Sequence, residues 1–408
     1  MKIAIISSGF LPVVDGVTVT LLNRLRQLSQ LGHEVLVFCP DYSTLASIYP
    51  NWRDYQGDIL PGVRVVNLPS TSFMGISFER NVSKASYDIV LRQLAQFQPD
   101  VIHVDEPDRL FLGFDKIPGI DYAKAHKIPC FGFYHTNFLD YMDDFLPLPR
   151  WAIAPLKELA RRWITCRVFN AYDATIVSGP ITYQKVLKIG INNAVNADVL
   201  GVDSDQFSPD LRSPHFFEQR YGLPSLDAKI KLLFLGRLTP DKGWKFTLKA
   251  LPLLAQAVDC QGIAIVVAGD GDMARAIAKG LAKLPIESHL LGRIAPAEVP
   301  ALLANSDIHI TASTKETKGL TVLEAFASGI PVIAPKSGGV IDSIQPGVNG
   351  LLFAPGDRSA FVQAIATLVQ DADLRSEMGR NGRAYAAHYD WRQASDRLLE
   401  IWQNPGPS

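Results

Sequence analysis

The sequence predicts an α/β protein made of two doubly wound parallel sheets, each covered by helices on both faces. Three observations carry that expectation. Short, continuously apolar runs alternate with segments of helical period, as buried parallel strands and their covering helices do. The alternation restarts after a polar, proline-containing stretch, Asp203–Pro224. A chain of 408 residues is also too long for one hydrophobic core.

In the first half, strand-like runs fall at Lys2–Ile6, Glu34–Phe38, Val63–Leu68, Val101–Val104, Pro129–Phe133, Ala174–Val177 and Ala197–Gly201, with helical period over Leu21–Leu31 and Val82–Phe97. In the second half they fall at Lys231–Leu235, Gly262–Val267, His289–Leu291, Ile308–Ala312, Pro331–Ala334 and Gly350–Phe353. The expected division is therefore an N-terminal Rossmann-like domain over 1–204 and a C-terminal one over 205–385, facing each other across a cleft. A last helix within 386–408, about Trp391–Trp402, is expected to return to the first domain.

An apolar content of 47% with 20% charged residues is that of a globular protein. Forty Lys plus Arg against forty-one Asp plus Glu exclude a nucleic-acid partner held by bulk charge. Cys39, Cys130, Cys166 and Cys260 share no short spacing that would suggest zinc or a redox pair, and they read as reduced thiols of a cytoplasmic protein. The N-terminal apolar run is too short for a signal peptide, and no window approaches the roughly 20 apolar residues of a membrane span.

Chemistry is expected on the stretch from Ser313 to Gly329. It leaves one strand, enters a short helix near Gly319 and stops at Gly329, and the first N–H groups of such a helix attract anions. Glu316 precedes that helix and Glu324 lies in it, two carboxylates suited to sugar hydroxyls, although solvated surface acids would fit the same positions. Arg237 and Lys242 follow the first strand of the same domain; an arginine fork and a lysine point charge suit a diphosphate leaving group. Gly16, after the first strand of the N-terminal domain, would let a backbone approach phosphate, or simply serve a turn. Three acidic triplets, Asp203-Ser-Asp205, Asp270-Gly-Asp272 and Asp371-Ala-Asp373, match a short metal-binding pattern that arises often by chance. With Arg237 and Lys242 present, no metal and no other cofactor is expected.

Gly236-Arg237-Leu…Lys242-Gly243, with Glu316…Gly319-Leu…Leu323-Glu324-Ala…Gly329-Ile-Pro331-Val, resembles glycosyltransferase family 4, whose fold is GT-B. The resemblance implies a retaining enzyme that takes a sugar nucleotide on its C-terminal domain. Arg237 and Lys242 would hold the diphosphate, with backbone contacts from Gly319, Leu320 and Thr321. Glu324 would bind the ribose, Glu316 the donor sugar, Arg293 and Ile294 the base, and Gly16 would close on the phosphates. His135, after an apolar strand, would bond the transferred sugar; it could equally satisfy a strand-end carbonyl. No side chain is convincing as a nucleophile, so retention would follow front-face attack.

The acceptor is to be read from the first domain. Leu156, Leu159, Ala160, Trp163 and Ile164 share one helical stripe, with Lys157, Arg161 and Arg162 opposite, a pattern that fits an anionic membrane surface or ordinary core packing. Phe73 opens an apolar loop ending at Phe78, and Trp151 lies near the stripe; both are candidates for lipid contact. Asp105-Glu-Pro-Asp-Arg109-Leu110 and His135-Thr-Asn-Phe-Leu-Asp-Tyr141 are similar to segments of digalactosyldiacylglycerol synthases of photosynthetic organisms. That resemblance implies a peripheral membrane enzyme moving galactose from UDP-galactose to monogalactosyldiacylglycerol. Sulfoquinovosyl-, glucosyl- or mannosyltransfer to another acceptor, a sugar-nucleotide epimerase, and a non-catalytic sugar-nucleotide binder remain alternatives.

Overall fold

In a computed structural model, which describes residues 1–73, 76–135 and 150–404, sixteen strands form the frame of the described residues. The chain divides into two compact units, Met1–Leu200 with Trp391–Ser408, and Gly201–Asp390. The last helix, Trp391–Gln403, thus belongs to the first unit. Among the described residues no helix is long and apolar enough to cross a membrane.

The first unit holds an eight-stranded sheet. Its strands are β1 (Lys2–Ser7), β2 (Glu34–Pro40), β3 (Gly57–Leu60), β4 (Val63–Leu68), β7 (Val101–Asp105), β8 (Cys130–Tyr134), β9 (Ala174–Val177) and β10 (Ala194–Asn196), in the order β10-β9-β8-β7-β1-β2-β4-β3. All neighbours are parallel except β3, an antiparallel edge strand. A separate hairpin pairs β5 (Ser70–Phe73) with β6 (Ile76–Val82). The sequence pattern missed β3, β5 and β6 because they are short or polar, and the strand expected at Ala197–Gly201 lies instead at Ala194–Asn196; β6 also takes the first residue expected of the helix Val82–Phe97, which runs over Tyr87–Phe97. The first helix spans Gly16–Gln30, starting earlier than the apolar period because polar Thr18 and Thr20 are buried.

The second unit is one parallel sheet, β13-β12-β11-β14-β15-β16, built from β11 (Ile230–Leu235), β12 (Ile263–Ala268), β13 (Glu287–Gly292), β14 (Ile308–Ile310), β15 (Val332–Pro335) and β16 (Gly350–Phe353). Alternation along a strand sends Ile263, Ile265 and Val267 into one core, and Ala264, Val266 and Ala268 into the other. Both faces are therefore buried, which is why these strands read as unbroken apolar runs. Each fully buried Ile or Val contributes about 1.5–3 kcal/mol. Strand order runs outward from β11 on one side and from β14 on the other, so the switch point, where open α/β sheets bind ligands, lies between those two strands.

Candidate functional site

Apart from Arg293 and Ile294, the second unit's candidate residues follow the carboxyl ends of β11 and β14. Chain leaving β11 makes a short turn to Gly243, whose φ of 78° is left-handed and whose added Cβ would lie 2.3 Å from the Ala312 carbonyl oxygen. Only glycine permits that approach, and it sets the turn against the chain leaving β14. As a result Lys242 Nζ donates to Glu316 Oε1 at 2.6 Å, both side chains a little over one-fifth exposed. Burial works against the charge on Glu316, but Lys242 and a hydrogen bond from Ser313 hold its carboxyl below the usual range.

Gly338 and Gly339 fix the Glu316 loop from behind, a Cβ on Gly338 falling 2.5 Å from the Glu316 carbonyl oxygen. The Gly339 N–H donates to the Glu316 carbonyl at 2.7 Å, and a Cβ on Gly339 would fall 1.7 Å from the Thr317 carbonyl oxygen. Beyond the loop, the helix Leu320–Ala327 begins at Gly319, which has φ 79° and supplies no side chain to cap the first turn. That helix end is therefore suited to anions. Thr321 Oγ1 lies 3.3 Å from Nε2 of His309, a fully buried histidine of β14 that burial pushes down to about 4. Glu324, on the second turn, is partly buried, and burial pushes its carboxyl up to about 7.

Arg237 Nη2 stands 3.9 Å from Asp241, whose buried carboxylate oxygens have no hydrogen-bond partner among the described residues. Asp241 was not singled out in the sequence, although it directly precedes Lys242. Arg293 and Ile294 follow β13, with Arg293 exposed and Ile294 packed on a core. The acidic triplets serve the backbone locally. Asp203 accepts from Asp205 and Gln206 N–H, Asp270 from Gly271 N–H, and Asp371 caps the helix Ala372–Ala386. Among the described residues one acid–histidine cluster, His215, Glu218 and Asp227, has metal-like spacing; Asp227 in it already accepts two backbone N–H groups.

The first unit's edge is organised differently. Gly16 is the first residue of its helix, but Asp15 caps that helix, accepting from Val17 and Thr18 N–H at 3.0 Å each. The carboxylate thus occupies two of the donors that a phosphate near Gly16 would use. His135, just after β8, gives a 2.6 Å hydrogen bond between Nε2 and Asp105 Oδ1. The imidazole is thus held at Nε2 by a carboxylate. Asp105 ends β7, also meets Arg24 Nη1 at 3.2 Å and His103 Nε2 at 3.1 Å, and is fully buried. Burial alone would raise its carboxyl, but Arg24, His135 and His103 hold it well below the usual range. Sequence reasoning passed over Asp105 as a site residue, although the pattern His103-Val-Asp105 puts both on one face of a strand.

The remaining candidates lie apart from this network. Leu159 and Trp163 are 56% and 64% exposed, and Leu156 44%, so these three do not enter the core, whereas Ile164 packs against it. They ride on the helix Arg150–Ala160 and the wider turns Arg161–Cys166. Glu158 pairs with both Arg161 and Arg162, of which Arg162 is the more exposed, and Lys157 is partly buried. Phe73 is partly buried, with the Arg109 guanidinium 4.6 Å from its ring centre. The side chains of residues 74–78 and of Trp151, and the segment 136–141, lie outside what is described.

Comparison with known proteins bears on the family and the fold. Residues 216–385 match the family of glycosyl transferases group 1, and residues 14–199 match Glycosyltransferase Family 4. A GDP-mannose-dependent alpha-mannosyltransferase of Corynebacterium glutamicum is 30% identical over 98% of this chain and 88% of its own. Sulfoquinovosyl transferase SQD2 of Arabidopsis thaliana is 28% identical over 92% of this chain and 68% of its own. Among solved structures, sucrose-phosphate synthase from Thermosynechococcus elongatus superposes with a TM-score of 0.75 at 18% identity, covering 99% of this chain and 98% of its own, a likeness of fold. With two doubly wound units, an uncapped helix at the second unit's switch point and these relatives, the chain belongs to glycosyltransferase family 4 and has the GT-B fold.

Proposed function

We propose that this transferase moves galactose, with retention, from UDP-galactose to monogalactosyldiacylglycerol at a membrane surface, giving digalactosyldiacylglycerol. The observation that carries the donor side is the uncapped start of the helix Leu320–Ala327, next to the Lys242–Glu316 pair. In this reading the diphosphate takes the N–H groups of Gly319, Leu320 and Thr321, while Arg237 and Lys242 offset the charge that develops as it leaves. Phosphate competing for Lys242 releases the Glu316 carboxylate, which turns to hydroxyls of the donor sugar. Glu324 accepts from the ribose, and Arg293 and Ile294 flank the base. His135 serves the transfer from the acceptor-binding unit, and the leaving phosphate takes the acceptor's proton.

Support for a membrane acceptor comes from the exposed Leu156, Leu159 and Trp163 beside Lys157 and Arg162. The galactolipid itself is supported by the likeness of residues 105–110 and 135–141 to galactolipid synthases. A second reading, transfer of mannose or sulfoquinovose, is supported by the two relatives named above. The test is turnover of UDP-galactose, UDP-glucose and GDP-mannose against monogalactosyldiacylglycerol, diacylglycerol and soluble acceptors. Digalactosyl product from UDP-galactose is expected; no turnover with any glycolipid would end the proposal. Sedimentation with vesicles should require anionic lipid and drop several-fold in Trp163→Ser. Activity should persist in EDTA, and a complete loss restored by Mg²⁺ or Mn²⁺ would overturn the metal-free mechanism.

A further inference from the structure

The histidine held by Asp105 is connected, through two more buried groups, to the end of the chain. Trp402 of the last helix places Nε1 3.3 Å from His103 Nδ1, and the two rings meet edge to face at 5.3 Å. Both side chains are at most 1% exposed, so neither has water as a substitute partner. On its other side His103 Nε2 faces two groups, Arg24 Nη1 at 2.9 Å and Asp105 Oδ1 at 3.1 Å. An indole can only donate, and so can a guanidinium. A neutral imidazole has one nitrogen that accepts and one that donates, so His103 cannot accept from both Trp402 and Arg24.

The count of hydrogen bonds decides between the two tautomers. With the proton on Nε2, His103 accepts from Trp402 and donates to Asp105; this N–H lies beside Arg24 Nη1, whose hydrogens turn instead to Asp105 Oδ1 and Oδ2, 3.2 and 3.4 Å away. With the proton on Nδ1, His103 accepts from Arg24 but faces the indole N–H with another N–H and has nothing to offer Asp105. A buried donor left without a partner costs about 1–3 kcal/mol, so the first tautomer wins while Trp402 is present. Burial, with Arg24 second, also pushes His103 down to about 4 against the pull of Asp105, which keeps the ring neutral.

We infer that Trp402 is a positioning residue for the transfer: its indole N–H fixes His103 as the Nε2–H tautomer, which with Arg24 orients the Asp105 carboxylate that holds His135. The last helix thereby does more than cover the sheet. It determines how the Asp105 charge is shared, and so how firmly the His135 ring is held. This inference rests on His135 serving the reaction, as proposed above.

Trp402→Phe keeps an aromatic side chain and removes the N–H together with the smaller ring of the indole, so the loss of packing is read separately, from Tm. In the unsubstituted protein, the ¹⁵N shifts of His103 should show a bare Nδ1 and a protonated Nε2; in Trp402→Phe the Nδ1–H form should become populated. Transfer should slow about 5-fold in kcat, the scale of one hydrogen bond, with KM for donor and acceptor within 2-fold. Packing alone would lower Tm and leave kcat unchanged. A protonated Nδ1 in the unsubstituted protein, or an unchanged kcat in Trp402→Phe, would overturn the inference. The tautomer is measured without substrate, so it stands or falls separately from the function: unimpaired transfer by His135→Ala would instead remove the role given to His135.

Discussion

The two units repeat one construction and finish it in opposite ways. Each has a parallel sheet, a switch point and a helix starting near the carboxyl edge. In the first unit the helix Gly16–Gln30 is closed by the Asp15 cap, and Arg24 of that helix meets the Asp105 carboxylate in a dry cluster with His103 and His135. In the second unit the helix Leu320–Ala327 starts at a glycine that caps nothing, and Lys242 and Glu316 pair where solvent still reaches them. Folding supplies a carboxylate at the first helix start and none at the second. An anion is best bound where the protein has not already supplied its own carboxylate.

Removing the cation from the open edge should have the largest effect. Lys242→Met should lower kcat at least about 100-fold, the scale of one lost charge-stabilising donor, while circular dichroism stays unchanged; a loss under 5-fold would break the contrast between the edges. Giving the second edge what the first one has comes next. Gly319→Asp puts a carboxylate at the helix start and a side chain at φ 79°, so donor binding measured by calorimetry should weaken at least about tenfold. Binding as tight as in the unsubstituted protein would show that the open helix end is not used.

The pH dependence follows from Glu324. Its carboxyl lies at about 7 rather than the ordinary 4.5, so the folded state holds the proton more tightly than the unfolded one. The stability this supplies is complete below about pH 4.5 and is lost as pH rises through about 7. Glu324→Gln should therefore flatten part of the fall in Tm between pH 5 and 8. Donor affinity should move the other way, improving a few-fold as the carboxylate ionises to accept ribose hydroxyls, and a pH-independent affinity would remove Glu324 from that role. The smallest effect belongs to the closed edge: Asp15→Ala should cost about 1 kcal/mol of stability by urea titration and leave donor affinity unchanged.

Much of the second unit's edge is legible in the amino-acid sequence. Arg237, Lys242, Glu316, Gly319 and Glu324 lie in two contiguous stretches with glycines at fixed offsets, and local chain geometry carries each to the strand ends. The first unit's network is not legible there. Arg24, His103, Asp105, His135 and Trp402 are spread over almost the whole chain, on strands, helices and a strand end that only folding brings together. The helical stripe at Leu156–Ile164 is ambiguous for a related reason: periodicity marks an apolar face, and only neighbours decide whether that face is covered. Here Leu159 and Trp163 are left exposed while Ile164 packs on the core.

By itself, then, the sequence determined the alternation of apolar strands and helices, the two-sheet plan and the glycine-punctuated loops, because these depend on residues close together in the chain. Tertiary structure decided which charges meet: Lys242 with Glu316, His135 with Asp105, and which indole reaches which imidazole, Trp402 with His103. Those pairings depend on which strands become neighbours and on water being excluded from between them, and neither is written in any local window of residues.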